Sequence, residues 1–345
     1  MNREFKTNIS LLALAMQVSI GAVLSAPAGA AEPEALHEAL QETQHPGEPV
    51  FTGREGAINT YTIADSGAPV MVSWQAKTAR PRAIILSVHG FGFNKCTYHA
   101  FAERMSEAGI STYAIDIRGF GAWSHSANAN RHLNLLASLG DIKHALHFLH
   151  DQNPDLPIFL LGESMGGALA LKAASDSPEL VYGVISSVPS GERFKQKRTA
   201  VNVFIQSIFG VGRVDLGKQL VAQTTADNGL AQQLLGEKGI RAKYSTSELL
   251  AFAKFMRSGH LSARRLSGTA VLMVQGARDR LVKPEGTERL FQELATADKS
   301  MLVVKGAEHL VFEEGQFDDQ VIDNVTAWLG RHLERPALTI AESQL

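Results

Sequence analysis

Gly162-Glu163-Ser164-Met165-Gly166 joins the apolar run Pro157-Ile158-Phe159-Leu160-Leu161 to the small-residue stretch Gly167-Ala168-Leu169-Ala170-Leu171. The first run reads as a buried strand and the second as a close-packed helix, so Ser164 stands on the turn between them. A sharp strand-to-helix turn lifts a hydroxyl off the backbone, and the flanking glycines leave room for the crowded main chain. The helix start also aims backbone N–H groups and a positive dipole end at the place where an oxyanion would form. Ser164 is therefore the candidate nucleophile, and Met165, first in the helix, is a candidate oxyanion donor through its N–H.

The runs Ala83–Val88, Ser111–Ile115, Val181–Ser187, Ala270–Gln275 and Met301–Val304 carry the same unbroken apolar character as 158–161. That suits parallel strands buried on both faces. Ahead of them, Ile58–Ala64 and Pro69–Ala76 flank Asp65-Ser66-Gly67 and read as a hairpin. Helical patterns lie between the strands, at Thr97–Ala108, Met165–Ser175, Thr287–Ala295 and Phe317–Leu333. Leu135, Leu139, Ile142, Leu146 and Leu149 add a one-sided helix stopped by Asn153-Pro154. This alternation specifies a doubly wound, mostly parallel eight-stranded α/β sheet with its chemistry at the carboxyl ends of the strands. From Pro189 to Leu266 the alternation fails. Helical pieces without a core strand, among them 201–209 and 249–256, predict a helical cap inserted over the site. The expected organisation is a core over 50–188 and 267–335, a cap over 189–266 and a tail over 336–345.

A nucleophilic serine needs a base and an acid that orients it. The strand at 270–275 leads into Gly276-Ala277-Arg278-Asp279, and the strand at 301–304 leads into Lys305-Gly306-Ala307-Glu308-His309. Asp279 and His309 thus occupy the two later loops, in the chain order serine, acid, histidine. Arg278 and Arg280 are read as facing solvent. The loop His89-Gly90-Phe91-Gly92-Phe93-Asn94 should give the second oxyanion donor, Phe91 by choice and Gly92 as the alternative. His89 is then a structural member of that loop. Phe93, together with Phe204 in the cap, is expected to line the acyl-binding wall. His144 and His147, three apart on a helix, lack partners for a metal site, and no metal or organic cofactor is expected.

With 33 basic and 35 acidic residues, a net charge of −2, 45% hydrophobic and 20% charged residues, the chain has no electrostatic case for nucleic-acid binding. Its amino terminus differs from the rest. Arg3 and Lys6 precede the apolar stretch Ile9–Leu24 and then Ala26-Pro27-Ala28-Gly29-Ala30, the grammar of a secretory signal over 1–30, followed by a polar leader over 31–49. Periplasmic or secreted localisation is the expectation, with a membrane anchor as the outcome if the signal stays uncleaved. Cys96, the single cysteine, rules out an intramolecular disulfide.

Five motifs stand in an order that resembles the α/β-hydrolases: His89-Gly90-Phe91-Gly92, Asp116-x-Arg118-Gly119-x-Gly121, Gly162-x-Ser164-x-Gly166, Gly276-x-x-Asp279 and Gly306-Ala307-x-His309. The chain looks like the monoacylglycerol lipase and lysophospholipase branch, sometimes grouped with serine aminopeptidases, over about Ile58 to Arg335. That resemblance implies the same nucleophile, acid, base and donors. It also implies an ester hydrolase whose partners are a small-molecule or lipid ester and, transiently, a membrane surface. Where the branch commonly carries Glu-His after the oxyanion loop, this chain has Phe93-Asn94. Other uses of one triad are an acyltransferase, a thioesterase, or an aminopeptidase holding an α-amine on Glu192, Asp215, Asp227, Glu237 or Glu248. A non-catalytic binding module would be expected to lack a triad member.

Overall fold

Strands β3 (Ala83–Val88), β4 (Ile110–Ile115), β5 (Ile158–Glu163), β6 (Gly183–Ser187) and β9 (Ala270–Gly276) are buried along their whole length. The computed structural model describes residues 58–61, 71–125, 132–194, 213–225, 232, 241–313 and 315–334. The signal segment, the leader, the tail and residues 201–209 of the cap lie outside the described residues.

With β1 (Ile58–Tyr61), β2 (Met71–Trp74) and β10 (Lys299–Val304), these strands form an eight-stranded sheet in the order β1-β2-β4-β3-β5-β6-β9-β10. β2 pairs antiparallel with both β1 and β4, and every later pairing is parallel. The hairpin expectation holds in the pairing of β1 with β2. The register sets Val88 beside Gly162, Glu163 beside Ser187 and Gly276 beside Val304. The carboxyl ends of β3, β5, β6, β9 and β10 therefore meet along one rim.

Side-chain alternation divides the core in two. Ile84, Leu86, Leu160, Val184 and Met273 face one side, where α2 (Leu135–Gln152) brings Leu139, Ile142 and Leu146 and α3 (Met165–Asp176) brings Leu169. Ile85, Phe159, Leu161, Ile185 and Val274 face the other side. There α1 (His99–Glu107) adds Phe101 and Met105, and α7 (Asp319–Leu333) adds Val325 and Trp328. Each large side chain so buried contributes about 1.5–3 kcal/mol. The helix starts are chemically fixed. Asn134 caps α2 by accepting the Ala137 N–H, and Asp318 caps α7 by accepting that of Val321.

Between β6 and β9 the described residues include α4 (Gly217–Thr224), α5 (Thr246–Arg265) and a two-stranded ribbon, β7 (Val214–Asp215) with β8 (Lys243–Tyr244). The insertion is thus not helical throughout. Its strands are two residues each, too short to show a period in sequence. α5 opens with a capping box, Ser245 and Glu248, and packs on α3 and on α6 (Pro284–Glu293).

Candidate active site

Ser164 sits between the last residue of β5 and the first of α3, with φ 56° and ψ −113°. A left-handed φ in a residue with a Cβ costs on the order of 1–3 kcal/mol and persists only where the surroundings enforce it. Enforcement is visible on both sides. The Ser164 N–H donates to the Ser187 carbonyl at 2.8 Å, and the Ser164 carbonyl accepts from Ala168 N–H at 3.1 Å. A Cβ on Gly162 would lie 2.1 Å from the Gly166 carbonyl oxygen, and one on Gly166 would lie 1.9 Å from that of Val88. The two glycines are what lets the turn close against β3.

The loop after β9 delivers Asp279. Its Oδ1 accepts the N–H groups of Leu281 at 2.7 Å and Val282 at 2.9 Å, and its Oδ2 lies 2.8 Å from Nδ1 of His309. With one oxygen held by backbone, the other is aimed at the imidazole, and the proton of that ring belongs on Nδ1. His309 and Asp279 are both buried. Ser164, half-buried, lines the same cavity as His309, together with Gly90, Phe91, Phe93 and Phe252. Among the described residues neither the Ser164 hydroxyl nor Nε2 of His309 has a hydrogen-bond partner. Each remains available to the other and to a bound substrate, whose arrival commonly tightens such contacts.

The loop after β3 turns tightly. Phe93 N–H donates to the Gly90 carbonyl at 3.2 Å, and Gly92 has φ 97°, the geometry of a type II turn with Phe91 and Gly92 at its corners. Neither corner N–H is used by the turn's own bond. Met165 N–H, at the first position of α3, has no intrahelical acceptor. The Phe91 ring stacks on Tyr244 and Phe252, with centroids 4.4 Å away in each case, so the loop is clamped by the insertion. Asn94 caps the short helical turn Lys95–Tyr98 through the Cys96 N–H. His89 is fully buried, with Nδ1 2.8 Å from the Gly90 carbonyl oxygen and Nε2 accepting the Ile117 N–H at 3.0 Å. Burial lowers its pKa, which keeps the ring neutral.

The structure thus brings Ser164, His309, Phe91 and Phe93 to one cavity and ties Asp279 to His309. Phe204 falls outside the described residues. Arg278 and Arg280 are exposed, and Arg280 pairs with Glu308 at 3.1 Å. His147 is exposed on α2 and His144 half-buried, away from the cavity. A wider cleft bordered by Ser124, Arg213, Arg241 and Lys243 holds none of the candidate residues.

Two charged residues of the cavity wall escaped the sequence reading. Glu163 is buried beside Ser164, and its Oε1 accepts from Val311 N–H at 2.6 Å, the Ser187 hydroxyl at 3.2 Å and Phe312 N–H at 3.4 Å. It fastens the loop carrying His309 to the turn carrying Ser164. Burial pushes its pKa up to about 7, against the pull of those hydrogen bonds and of His309. A carboxylate inside an otherwise apolar run was the available signal. The second is Arg193, at the start of the insertion, which had no motif to mark it.

A family model described as serine aminopeptidase, S33, matches residues 79–316. The monoacylglycerol lipase of Mycolicibacterium smegmatis is 26% identical over 264 residues, spanning 73% of this chain and 90% of that protein. The monoglyceride lipase of Rattus norvegicus is 23% identical over 261 residues, spanning 73% and 84%. Among solved structures, the monoacylglycerol lipase of Paleococcus ferrophilus superposes with a TM-score of 0.63 at 22% identity, over 79% of this chain and 99% of that one. The fold is that of the α/β-hydrolases.

Proposed function

The chain belongs to the serine aminopeptidase S33 family and is a hydrolase of the lipase and esterase type, and on that premise we propose that it cleaves carboxylic esters with an aliphatic acyl chain through an acyl-enzyme on Ser164. The observation that carries the reading is the strained Ser164 opening onto a cavity shared with an imidazole whose far nitrogen is held by a buried carboxylate.

In this reading the Ser164 hydroxyl attacks the ester carbonyl while Nε2 of His309 takes its proton. Asp279 fixes the ring and stabilises the imidazolium. The oxyanion is held by the N–H groups of Met165 and Phe91. Collapse breaks the ester C–O bond, and the alcohol leaves with the proton from Nε2. Water, deprotonated by the same nitrogen, then attacks the acyl-enzyme, releasing the acid and restoring the serine. Phe91, Phe93, Phe252 and Leu310 give the apolar wall against which an acyl chain would lie. A monoacylglycerol-like ester fits this wall and the names of these relatives, and a lysophospholipid-like ester would present the same acyl end to it.

The aminopeptidase reading finds little support in the described residues. Glu192 pairs with Arg289, Asp215 caps Gly217 N–H, and Glu248 is held by Arg241, by Leu133 N–H and by Ser245 N–H. Glu192 and Glu248 are thus committed to arginines and Asp215 is exposed and does not line the cavity, while Asp227 and Glu237 lie outside the described residues. Export through the amino-terminal signal is part of the proposal. Cleavage after Ala30 on expression of the full chain, read by mass spectrometry, checks it.

Ser164→Ala tests the core of the proposal. It should lower turnover of p-nitrophenyl esters by at least about 10⁴-fold and abolish fluorophosphonate labelling, with the melting temperature retained. An unmodified rate in that variant ends the assignment. A chain-length series on the wild-type protein then separates long acyl substrates from acetyl and butyryl esters.

A further inference from the structure

Arg193 is, among the described residues, a cation with no carboxylate beside it. Its guanidinium carbon lies 4.6 Å over the Phe252 ring, and the residue borders the cavity that holds Ser164 and His309. Among the described residues no carboxylate pairs with it. Glu192, its neighbour in sequence, is committed to Arg289, with Arg289 Nε 2.9 Å from Glu192 Oε1. Glu163, also on the cavity wall, spends an oxygen on Val311, Phe312 and Ser187, and Glu248 on the cap side is taken by Arg241. Burial alone lowers the pKa of Arg193, to about 10, which still leaves it charged at neutral pH.

The placement of this cation is not left to a loose segment. Arg193 bridges Val282 antiparallel, Phe194 N–H donates to the Leu281 carbonyl at 3.0 Å, and Lys283 N–H donates to that of Glu192 at 2.9 Å. The N–H groups of Leu281 and Val282 are those that hold Asp279. One short stretch of backbone therefore fixes both the triad carboxylate and the cation. Arg193 is half-buried, a partly desolvated charge with no described counterion is costly, and stacking on a ring offsets only part of that cost. A guanidinium also presents a planar fork that fits carboxylate and phosphate oxygens.

We propose that Arg193 is a specificity-determining residue that receives an anionic group, carboxylate or phosphate, of the ester substrate. This deepens the ester-hydrolase reading and rests on it. The preferred substrate carries a negative charge within reach of the cavity wall, either on the alcohol side, as in a phosphorylated monoacylglycerol, or on the acyl side, as in an ω-carboxyacyl ester.

Two matched pairs of substrates, below their critical micelle concentrations, distinguish these sources. The first is a 1-acylglycerol 3-phosphate against the 1-acylglycerol of the same chain. The second is a p-nitrophenyl ω-carboxyacyl ester against its methyl-ended counterpart. The readout is the ratio of kcat/KM, anionic over neutral, within each protein, so that a general loss of activity cancels. In the wild-type protein at least one ratio should exceed about tenfold. Arg193→Met keeps apolar contact with Phe252 and should collapse that ratio toward one, while Arg193→Lys should retain part of it. A ratio near one in both wild-type pairs, or a ratio that survives Arg193→Met, overturns the proposal. A binding arm is independent of turnover. Decyl phosphate and decanoate should raise the melting temperature of the wild-type protein but not of Arg193→Met, and decanol should affect both alike. If no ester is cleaved yet these anions stabilise through Arg193, the hydrolase reading fails and the anion site stands. If esters are cleaved and neither anion discriminates, the reverse holds.

Discussion

Two buried imidazoles stand at the same rim of the sheet, His89 after β3 and His309 after β10, with 0% and 2% of their surface exposed. Burial does not tell them apart; the partners of their nitrogens do. His89 has both nitrogens engaged by backbone, Nδ1 with the Gly90 carbonyl and Nε2 with the Ile117 N–H. His309 has Nδ1 on the Asp279 carboxylate, while Nε2 faces the cavity shared with Ser164. One ring is a rivet between two loops. The other has a nitrogen to work with and a carboxylate to steady the charge it would acquire. A histidine is chemically available when one lone pair is left over and the opposite N–H is directed.

The most severe break of this comparison is removal of the working ring. On the proposed role as base, His309→Ala should lower ester turnover by about 10⁴-fold or more, and by taking the imidazole from the buried Asp279 carboxylate it should cost at most about 1–3 kcal/mol of stability. Its check is single-turnover kinetics beside circular dichroism. Asp279→Asn should come next, at about 10³–10⁴-fold. The amide can still accept from Leu281 and Val282, but its N–H₂ faces Nδ1 and forces the proton onto Nε2, where a base must be empty. Exchange-protected imidazole N–H resonances read the tautomer directly, and an unchanged tautomer with full activity contradicts the role given to Asp279.

Much of this was legible beforehand because the strands are buried on both faces, so their apolar runs are unbroken. Ala83–Val88 matches its strand end for end. Elsewhere the ends shifted for identifiable reasons. β10 begins at Lys299 rather than Met301 because it is an edge strand, only partly buried, and tolerates Lys299 and Ser300. β5 runs on to Glu163 because its carboxylate finds N–H donors in a loop nearly 150 residues later in the chain, a pairing no local pattern reveals. α6 starts at Pro284, whose fixed φ suits the first helical turn, three residues before the sequence reading placed it. α1 is preceded by a separate turn at Lys95–Tyr98 that merges with it in the apolar pattern. The candidate triad was readable because each member lies on the turn or loop that follows the carboxyl end of a strand. Glu163 and Arg193 were not, since the role of each depends on which charges lie near it in space.

A smaller effect probes the rivet. His89→Ala strands the Ile117 N–H and the Gly90 carbonyl in a buried place, and should cost about 1–3 kcal/mol of stability. Turnover per folded molecule should stay within about tenfold of wild type. Urea unfolding with active-site titration separates the two quantities. A His89 variant that folds normally yet is as inactive as His309→Ala would erase the distinction between the rings.

The finest test asks what holds each loop. The loop of His89 is fastened by an imidazole that burial keeps neutral as pH rises, whereas that of His309 is fastened through Glu163, whose pKa is raised from 4.5 to about 7 by burial. The folded chain therefore holds this proton more tightly than the unfolded chain. The resulting stabilisation is fully present below pH 4.5 and is lost as pH rises through about 7. The span corresponds to about 3 kcal/mol at most. Glu163→Gln keeps an oxygen for Val311 N–H, can turn its amide toward the Ser187 hydroxyl, and carries no charge at any pH. Its melting temperature relative to wild type should climb between pH 5 and pH 8 and then level off, the gain arising because only the wild-type protein must bury an ionised carboxylate there. Parallel curves for the two proteins across that interval would show that the anchor of the His309 loop does not titrate there. An ordinary carboxylate pKa at position 163 would follow from that result.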